Sequence, residues 1–208
     1  EYHGGRPIDV VRNIAVHRLE WQPIKQIILS GSESVLYANR FIEMTYLLPF
    51  VPFFSIQTYL GETDNSFISG DIQFLPDDNI RLYVALLIDD WSPSYTFKTL
   101  NNNKFGWQTG IDWNNIYLKE DRFRLEYTWA DHRIYHHEVE INDYYSWDYP
   151  VGFWAGPHAE ELYLDYSFTM WDNHFEIMFS DARRGVFSDS LRKYSYNRPY
   201  GLRKICIM

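Results

Sequence analysis

The sequence predicts an all-β fold, an antiparallel up-and-down arrangement of about eight strands in one domain spanning residues 1–208. Polar and apolar residues alternate along several segments, and no segment has a convincing helical period. Short links made of turn residues also alternate with long links along the chain. Because successive side chains of a strand point to opposite faces, the alternation places polar and apolar residues on different sides of a sheet.

The alternation is clearest in three segments. From 122 to 129 the even positions are polar and the odd positions are apolar, and 161–170 has the same pattern with the parity reversed. In 80–88 the even positions are all Ile, Leu or Val. Weaker alternation completes the predicted strands, which are 11–21, 26–37, 66–74, 80–88, 105–117, 122–130, 161–170 and 174–182.

The links between the predicted strands fall into two classes. The short ones are "QPIK" (22–25), "LPDDN" (75–79), "LKED" (118–121) and "WDN" (171–173). The long ones cover 38–65, 91–104, 131–160 and the residues after Gly185. Since short and long links alternate strictly, the meander has its tight turns at one end and its long loops at the other. This sorting is typical of outer-membrane barrels with short periplasmic turns and long extracellular loops.

Two further patterns favour a transmembrane β-barrel with outer-membrane lipid as its surroundings. Aromatic residues gather near the short turns, as an interfacial girdle requires, at Trp21, Phe74, Trp113, Tyr117, Phe123, Trp171 and Phe175. The polar sides of the strands carry charges that suit a hydrated lumen, at Arg122, Arg124, Glu126, Glu161, Asp165 and Glu176. Alternation by itself also allows a soluble barrel, which would bury its apolar face.

Composition narrows the possible classes of partner. With 46% hydrophobic and 19% aromatic residues the chain has to fold around buried rings. The net charge of −9 and the absence of a basic stripe argue against a nucleic-acid partner. Cys206 is the single cysteine, so an internal disulfide and a cysteine-based zinc site are excluded. The apolar stretch 44–60 contains Pro49 and Pro52 and is predicted to be a loop or a broken amphipathic segment rather than a spanning helix.

The long link after the sixth predicted strand is unusually rich in His, Trp and Tyr. Its histidines, His132, His136, His137 and His158, lack a His-Glu-x-x-His arrangement, so we expect no metal and no other cofactor. Paired carboxylates could instead serve a glycan hydrolase, with candidates Asp89 with Asp90, Asp143 with Asp148, and Glu160 with Glu161. Their spacing in three dimensions does not follow from sequence, and this alternative stays open.

Three segments of the chain resemble the bacterial capsule assembly Wzi family of outer-membrane β-barrels. They are "HRLEWQPIKQIILSGSESVLYANR" (17–40), "DNSFISGDIQFLPDDNIRLYVALLIDDW" (64–91) and "YTWADHRIYHHEVEINDYYSWDYPVGFWAGPHAEELYLDYSF" (127–168). The resemblance implies a non-enzymatic outer-membrane lectin that helps to hold capsular polysaccharide or exopolysaccharide at the cell surface. It also implies that residues 1–208 are the carboxy-terminal part of a larger barrel, although "LRKICIM" (202–208) departs from the amphipathic last strand of such barrels.

Sugars present flat C–H patches that lie against aromatic rings, and their hydroxyls bind polar side chains. The predicted polysaccharide-binding residues combine both types: Trp91, Asp131, His132, Arg133, Tyr135, Tyr144, Tyr145, Trp147, Trp154 and His158. The structural alternative is that these rings pack the loop into a plug over the barrel mouth, with Asp131 and Arg133 paired inside. A pore constricted by the same loop is a further alternative. The sequence leaves open which polysaccharide is bound and the oligomeric state.

Overall fold

The computed structural model describes residues 11–61, 63–90, 103–118, 120–137, 140–146 and 149–185. The long strands are β1 (Arg12–Ile24), β2 (Ile27–Ala38), β3 (Asn65–Asp77), β4 (Ile80–Asp90), β5 (Lys104–Asn114), β6 (Arg122–Ala130), β9 (Ala159–Met170) and β10 (Asn173–Arg184). A small hairpin, β7 (Tyr145–Ser146) with β8 (Tyr149–Pro150), lies between β6 and β9. Within these ranges, helical structure consists of α1 (Phe53–Leu60) and the 3₁₀ turns Met44–Leu47 and Glu140–Asn142.

The eight long strands form one antiparallel sheet in the order β1-β2-β3-β4-β5-β6-β9-β10. Every predicted strand is therefore confirmed, and so is the alternation of short turns with long loops. The bounds shift by a few residues: β5 ends at Asn114 rather than at 117, and β1 continues to Ile24. Closure of the sheet into a barrel is not observed within the described residues, since β1 and β10 form the two edges.

The strand register gives the sheet two faces of opposite polarity. One row of directly paired residues runs Ser30, Asp71, Ala85, Gln108, Thr128 and Glu161, and we call its side the polar face. The neighbouring row on the other side runs Phe74, Leu82, Ile111, Leu125, Leu164 and Phe179, and we call this side the apolar face. Because side chains alternate along each strand, the register assigns the other residues of the central strands to one face or the other.

Charged groups on the polar face bind one another. The carboxylate of Asp112 accepts hydrogen bonds from the guanidinium groups of Arg81 and Arg122, and the latter lies 2.7 Å from it. Arg124 approaches the same carboxylate at 3.5 Å, and Tyr83 donates its hydroxyl hydrogen to Glu126. These residues belong to β4, β5 and β6, so the network ties three strands together on one side of the sheet.

The apolar face is largely exposed. Val84, in the middle of β4, is 53% exposed, and Ile72, Leu82, Leu86 and Trp107 are also exposed. In a water-soluble sandwich or barrel, residues of this kind form the buried core. Here the large loop after β6 covers the polar face instead, as described below, so the apolar face is left as an extended hydrophobic surface.

One segment does pack on the apolar face, at the end where the long loops lie. We call residues 41–60 the belt segment; it contains the 3₁₀ turn Met44–Leu47 and α1. Tyr46, Phe53 and Ile56 form a core with Val35 and Tyr37 of β2. The prediction of a broken segment is confirmed, whereas α1 was not predicted, because eight residues after Pro52 are too few to show a helical period. No helix in the described ranges has the length and apolar character needed to span a bilayer.

The short-turn end is held by local hydrogen bonds. The buried carboxylate of Asp121 accepts from the backbone N–H groups of Ile116, Tyr117 and Leu118, and from the hydroxyl of Tyr166 at 2.9 Å. The β9–β10 turn places Trp171 and Asp172 at φ values of 53° and 58°. Positive φ at both positions is the geometry of a two-residue hairpin turn that matches the twist of the strands.

A close approach on the polar face provides a test of the register. A Cβ atom added at Gly110 would lie 2.5 Å from the Tyr83 hydroxyl and 2.9 Å from the carbonyl oxygen of Leu125. We expect Gly110→Ala to displace Tyr83 from Glu126 and to lower the free energy of unfolding by about 1–3 kcal/mol. Gly31→Ala is the matched control, because nothing lies within 4 Å of the added methyl group. Urea-unfolding midpoints of the two variants measure the difference, and equal midpoints would contradict this packing.

Candidate functional site

The loop between β6 and β9 folds onto the polar face and forms a compact body that we call the plug, residues 131–158. Its core consists of Ile134, Tyr135 and Tyr145, packed with Phe67 of β3 and Ala130 of β6. Tyr144, Phe153 and Leu87 pack against this cluster. Phe67 and Leu87 belong to the polar face by register, so aromatic residues of the plug supply the partners for the few apolar residues on that face.

The plug crosses the polar face from one part of the sheet to another. Near β9, the indole N–H of Trp154 donates to the Glu161 carboxylate at 2.7 Å. Near β3, the Asn142 side chain donates to the carbonyl oxygen of Thr63 at 2.7 Å, and the carbonyl oxygen of Asn142 accepts from Asn65 at 2.9 Å. The plug is thus anchored at two widely separated positions in the strand order.

An ion pair fixes the start of the plug. Arg133 donates to both carboxylate oxygens of Asp131 at 2.9 Å and to the carbonyl oxygen of Asn103 at 2.9 Å. Burial by itself raises the pKa of Asp131, but the hydrogen bonds and the charge of Arg133 outweigh it and lower that pKa below its ordinary value. The pairing that the structural alternative predicted inside the plug is therefore present.

Tyr135 occupies a strained position at the centre of the plug. Its φ of 73° is unusual for a bulky residue. Asp89 accepts a hydrogen bond from its backbone N–H at 2.7 Å, its hydroxyl oxygen accepts one from the N–H of Phe153 at 2.8 Å, and Gly152 packs directly against its ring. Burial raises the pKa of its hydroxyl to about 12. These contacts over-determine the backbone conformation, as a rigid scaffold requires.

The predicted binding residues separate into an inner and an outer group. Tyr135 and Tyr145 are buried, so their rings serve as plug core and offer no open face to a large ligand. Tyr144 is half-buried, with its hydroxyl hydrogen-bonded to Ser34, and Asp131 and Arg133 bind each other. His132 and His158 are half-buried, with ring centroids 5.9 Å apart, and Trp154 is exposed. Trp91 and Trp147 lie outside the described residues.

Trp154 has the geometry of a fixed aromatic platform. Its ring is 63% exposed although its N–H is bound to Glu161, and the second oxygen of Glu161 accepts from Ser180 at 2.6 Å. The neighbouring Phe153 meets the indole edge to face at 6.2 Å. Tyr149 of β8 is exposed as well. Sequence gives no signal for which tyrosines of a plug face outward.

The carboxylate pairs considered for glycan hydrolysis do not all lie together on one face of the sheet. Glu160 and Glu161 are adjacent in β9, so they lie on opposite faces of the sheet. Glu160 accepts from Tyr127 at 2.7 Å on the apolar side, whereas Glu161 holds Trp154 on the polar side. Asp143 is buried and accepts from the N–H of His137 at 2.8 Å. The side chains of Asp90 and Asp148 lie outside the described part of the chain.

Among the described residues, no three His, Cys, Asp or Glu side chains come together in a way that could hold a metal ion. Two of the histidines considered as metal ligands contact different carboxylates of the plug. His136 contacts Asp143 at 3.1 Å, and His132 contacts Asp131 at 3.3 Å.

No protein-family model, curated protein or solved structure matches the chain. The relationship to the Wzi family therefore rests on the three resembling sequence segments and stays a hypothesis.

The Asp131–Arg133 pair makes the stability of the plug testable. Arg133 is 16% exposed, so Arg133→Ala leaves a largely buried carboxylate without its cation and should cost about 3 kcal/mol. Arg183→Ala is the matched control: its side chain is 58% exposed beside Asp181 and Glu160, and such surface pairs contribute less than about 1 kcal/mol. In limited proteolysis, we expect the Arg133 variant to be cleaved within residues 131–158 and the Arg183 variant to resist cleavage there. Equal resistance of both variants would show that the pair does not hold the plug.

Proposed function

We propose that the protein is an outer-membrane β-barrel protein that binds capsular polysaccharide or exopolysaccharide and helps to attach or assemble it at the cell surface. The observation that carries the proposal is that an aromatic plug covers the polar face of the sheet and leaves the apolar face exposed. That polarity suits lipid outside and a hydrated, plugged interior. The segments that resemble the Wzi family support the same function.

Membrane insertion accounts for the apolar face. A bilayer has no water to bind open strand edges, so a sheet that spans it has to close. The edges that would have to close are those of β1 and β10. Trp21, Trp113 and Trp171 lie toward the short-turn end and would form the aromatic girdle at one membrane surface.

Polysaccharide binding accounts for the outer residues of the plug. Trp154 and Tyr149 present open ring surface for the C–H patches of sugars. His132 and His158 lie near the start and the end of the plug and can bind sugar hydroxyls. The buried ion pair and the strained Tyr135 keep the plug rigid, which lowers the entropic cost of holding a long, flexible ligand.

Replacement of the aromatic platform tests the binding half of the proposal. Trp154→Ala should weaken binding of polysaccharide extracted from the source cells about tenfold or more, because a lost Trp anchor costs about 2 kcal/mol. Trp171→Ala is the matched control, since Trp171 is also exposed but lies in the β9–β10 turn at the other end of the sheet. Biolayer interferometry on the immobilised polysaccharide measures both. Unchanged binding by the Trp154 variant would remove this residue from the site.

A pair of neighbouring residues tests the membrane half. Val84 lies on the apolar face and Ala85 on the polar face, at the same depth of β4. Val84→Lys should cost about 2–4 kcal/mol if this position faces lipid near the bilayer midplane, and should lower recovery of folded protein in the outer membrane. Ala85→Lys places its charge beside Asp71 and should be tolerated. In a protein surrounded by water the order would reverse, since Val84→Lys would merely replace an exposed apolar group.

A further inference from the structure

The belt segment, residues 41–60, packs on the apolar face over the long-loop half of β1 and β2. Phe53 and Tyr46 are turned inward onto Val35 and Tyr37, and Phe53 also meets the ring of His17 at a centroid distance of 4.3 Å. The opposite side of the segment is open: Phe50 is 94% exposed and Tyr59 is 88% exposed. The other exposed apolar side chains of the segment are Phe41, Ile42, Met44, Leu47, Leu48 and Phe54.

Three polar side chains of the belt segment form hydrogen bonds with groups of the protein. The side-chain amide of Gln57 donates to the carbonyl oxygen of Asp64, and its oxygen accepts from Ser66 at 2.7 Å. Tyr46 donates to Asp64 at 2.6 Å, and the hydroxyl of Thr58 donates to the carbonyl oxygen of Phe54 at 2.9 Å. In a water-poor environment, polar groups need hydrogen-bond partners within the protein, because water is not there to bind them.

The belt segment also covers two polar residues of the apolar face. His17 and Glu33 are paired by register on that face, where a bare carboxylate would meet lipid. Glu33 instead accepts the N–H of Phe53 at 2.8 Å, in the first turn of α1. This bond satisfies one of the N–H groups that a helix start leaves open.

We infer that the belt segment lies in the lipid interface at the long-loop end, with its exposed side chains among lipid acyl chains. Glu43, half-buried near the start of the segment, is the single charged residue from 41 to 60, whereas a surface that binds another protein usually has a polar rim. The exposed side of the segment continues directly into the bare apolar face of the sheet, at Leu19 and Ile68. The inference rests on the proposed membrane location and goes beyond it, because it assigns lipid contact to a connection that would otherwise project into water.

Site-specific fluorescence in vesicles tests the inference separately from the proposed function. In a Cys206→Ser background, single cysteines replace Phe50, Tyr59, Val84 or Tyr149 and carry an environment-sensitive NBD label. The full chain is reconstituted into phosphatidylcholine vesicles that contain a nitroxide lipid, with the nitroxide either near the headgroup or deep in the acyl chain. Phe50 and Tyr59 are suitable positions because their side chains are almost fully exposed, so the label disturbs little packing.

We expect the nitroxide lipids to quench the label at positions 50 and 59, and the shallow nitroxide to quench it more strongly than the deep one. At position 84 we expect the deep nitroxide to quench the label more strongly. Position 149, in the plug, should instead be quenched by aqueous iodide. Quenching by nitroxide lipid at 84 but not at 50 and 59 would overturn the inference and leave the membrane location standing. Absence of lipid quenching at all of these positions would sink the membrane location and the inference with it.

Discussion

The opposite polarity of the two sheet faces is the constraint on which the rest of the structure depends. Because side chains alternate along a strand, a register shift of one residue in any central strand would place its apolar residues among the charges of the polar face. The row from Phe74 to Phe179 is continuous across six strands, and the charge network around Asp112 is continuous across three. The apolar row and the charge network therefore favour the same strand register.

The plug and the belt segment each supply partners for residues of the face on which they pack. The plug brings aromatic rings to a polar face, and its own polar groups have partners: Arg133 binds Asp131, and Asp89 accepts the backbone N–H of Tyr135. The belt segment brings apolar side chains to an apolar face, and its Phe53 N–H and Tyr46 hydroxyl donate to Glu33 and Asp64. Together they cover opposite sides of the sheet at the same, long-loop end.

Sequence predicted the strands well because period-two alternation is a local signal that each strand carries by itself. It did not predict α1 or the β7–β8 hairpin, since eight residues and two-residue strands are too short to show a period. It also could not decide which face is covered, because alternation is symmetric between the two. The candidate site was predicted as a group of residues, but the division between the buried Tyr135 and the exposed Trp154 depends on contacts with Phe67 and Glu161 from distant strands.

Because the apolar face is exposed, the proposed function depends on the medium that surrounds this face. The most direct measurement is fractionation of the native protein from its source cells, followed by gel electrophoresis with and without boiling. We expect recovery in the outer membrane and a change in mobility on boiling, since a closed barrel resists detergent until it is heated. Recovery in a soluble fraction with unchanged mobility would contradict it, and the apolar face would then need a protein partner instead of lipid.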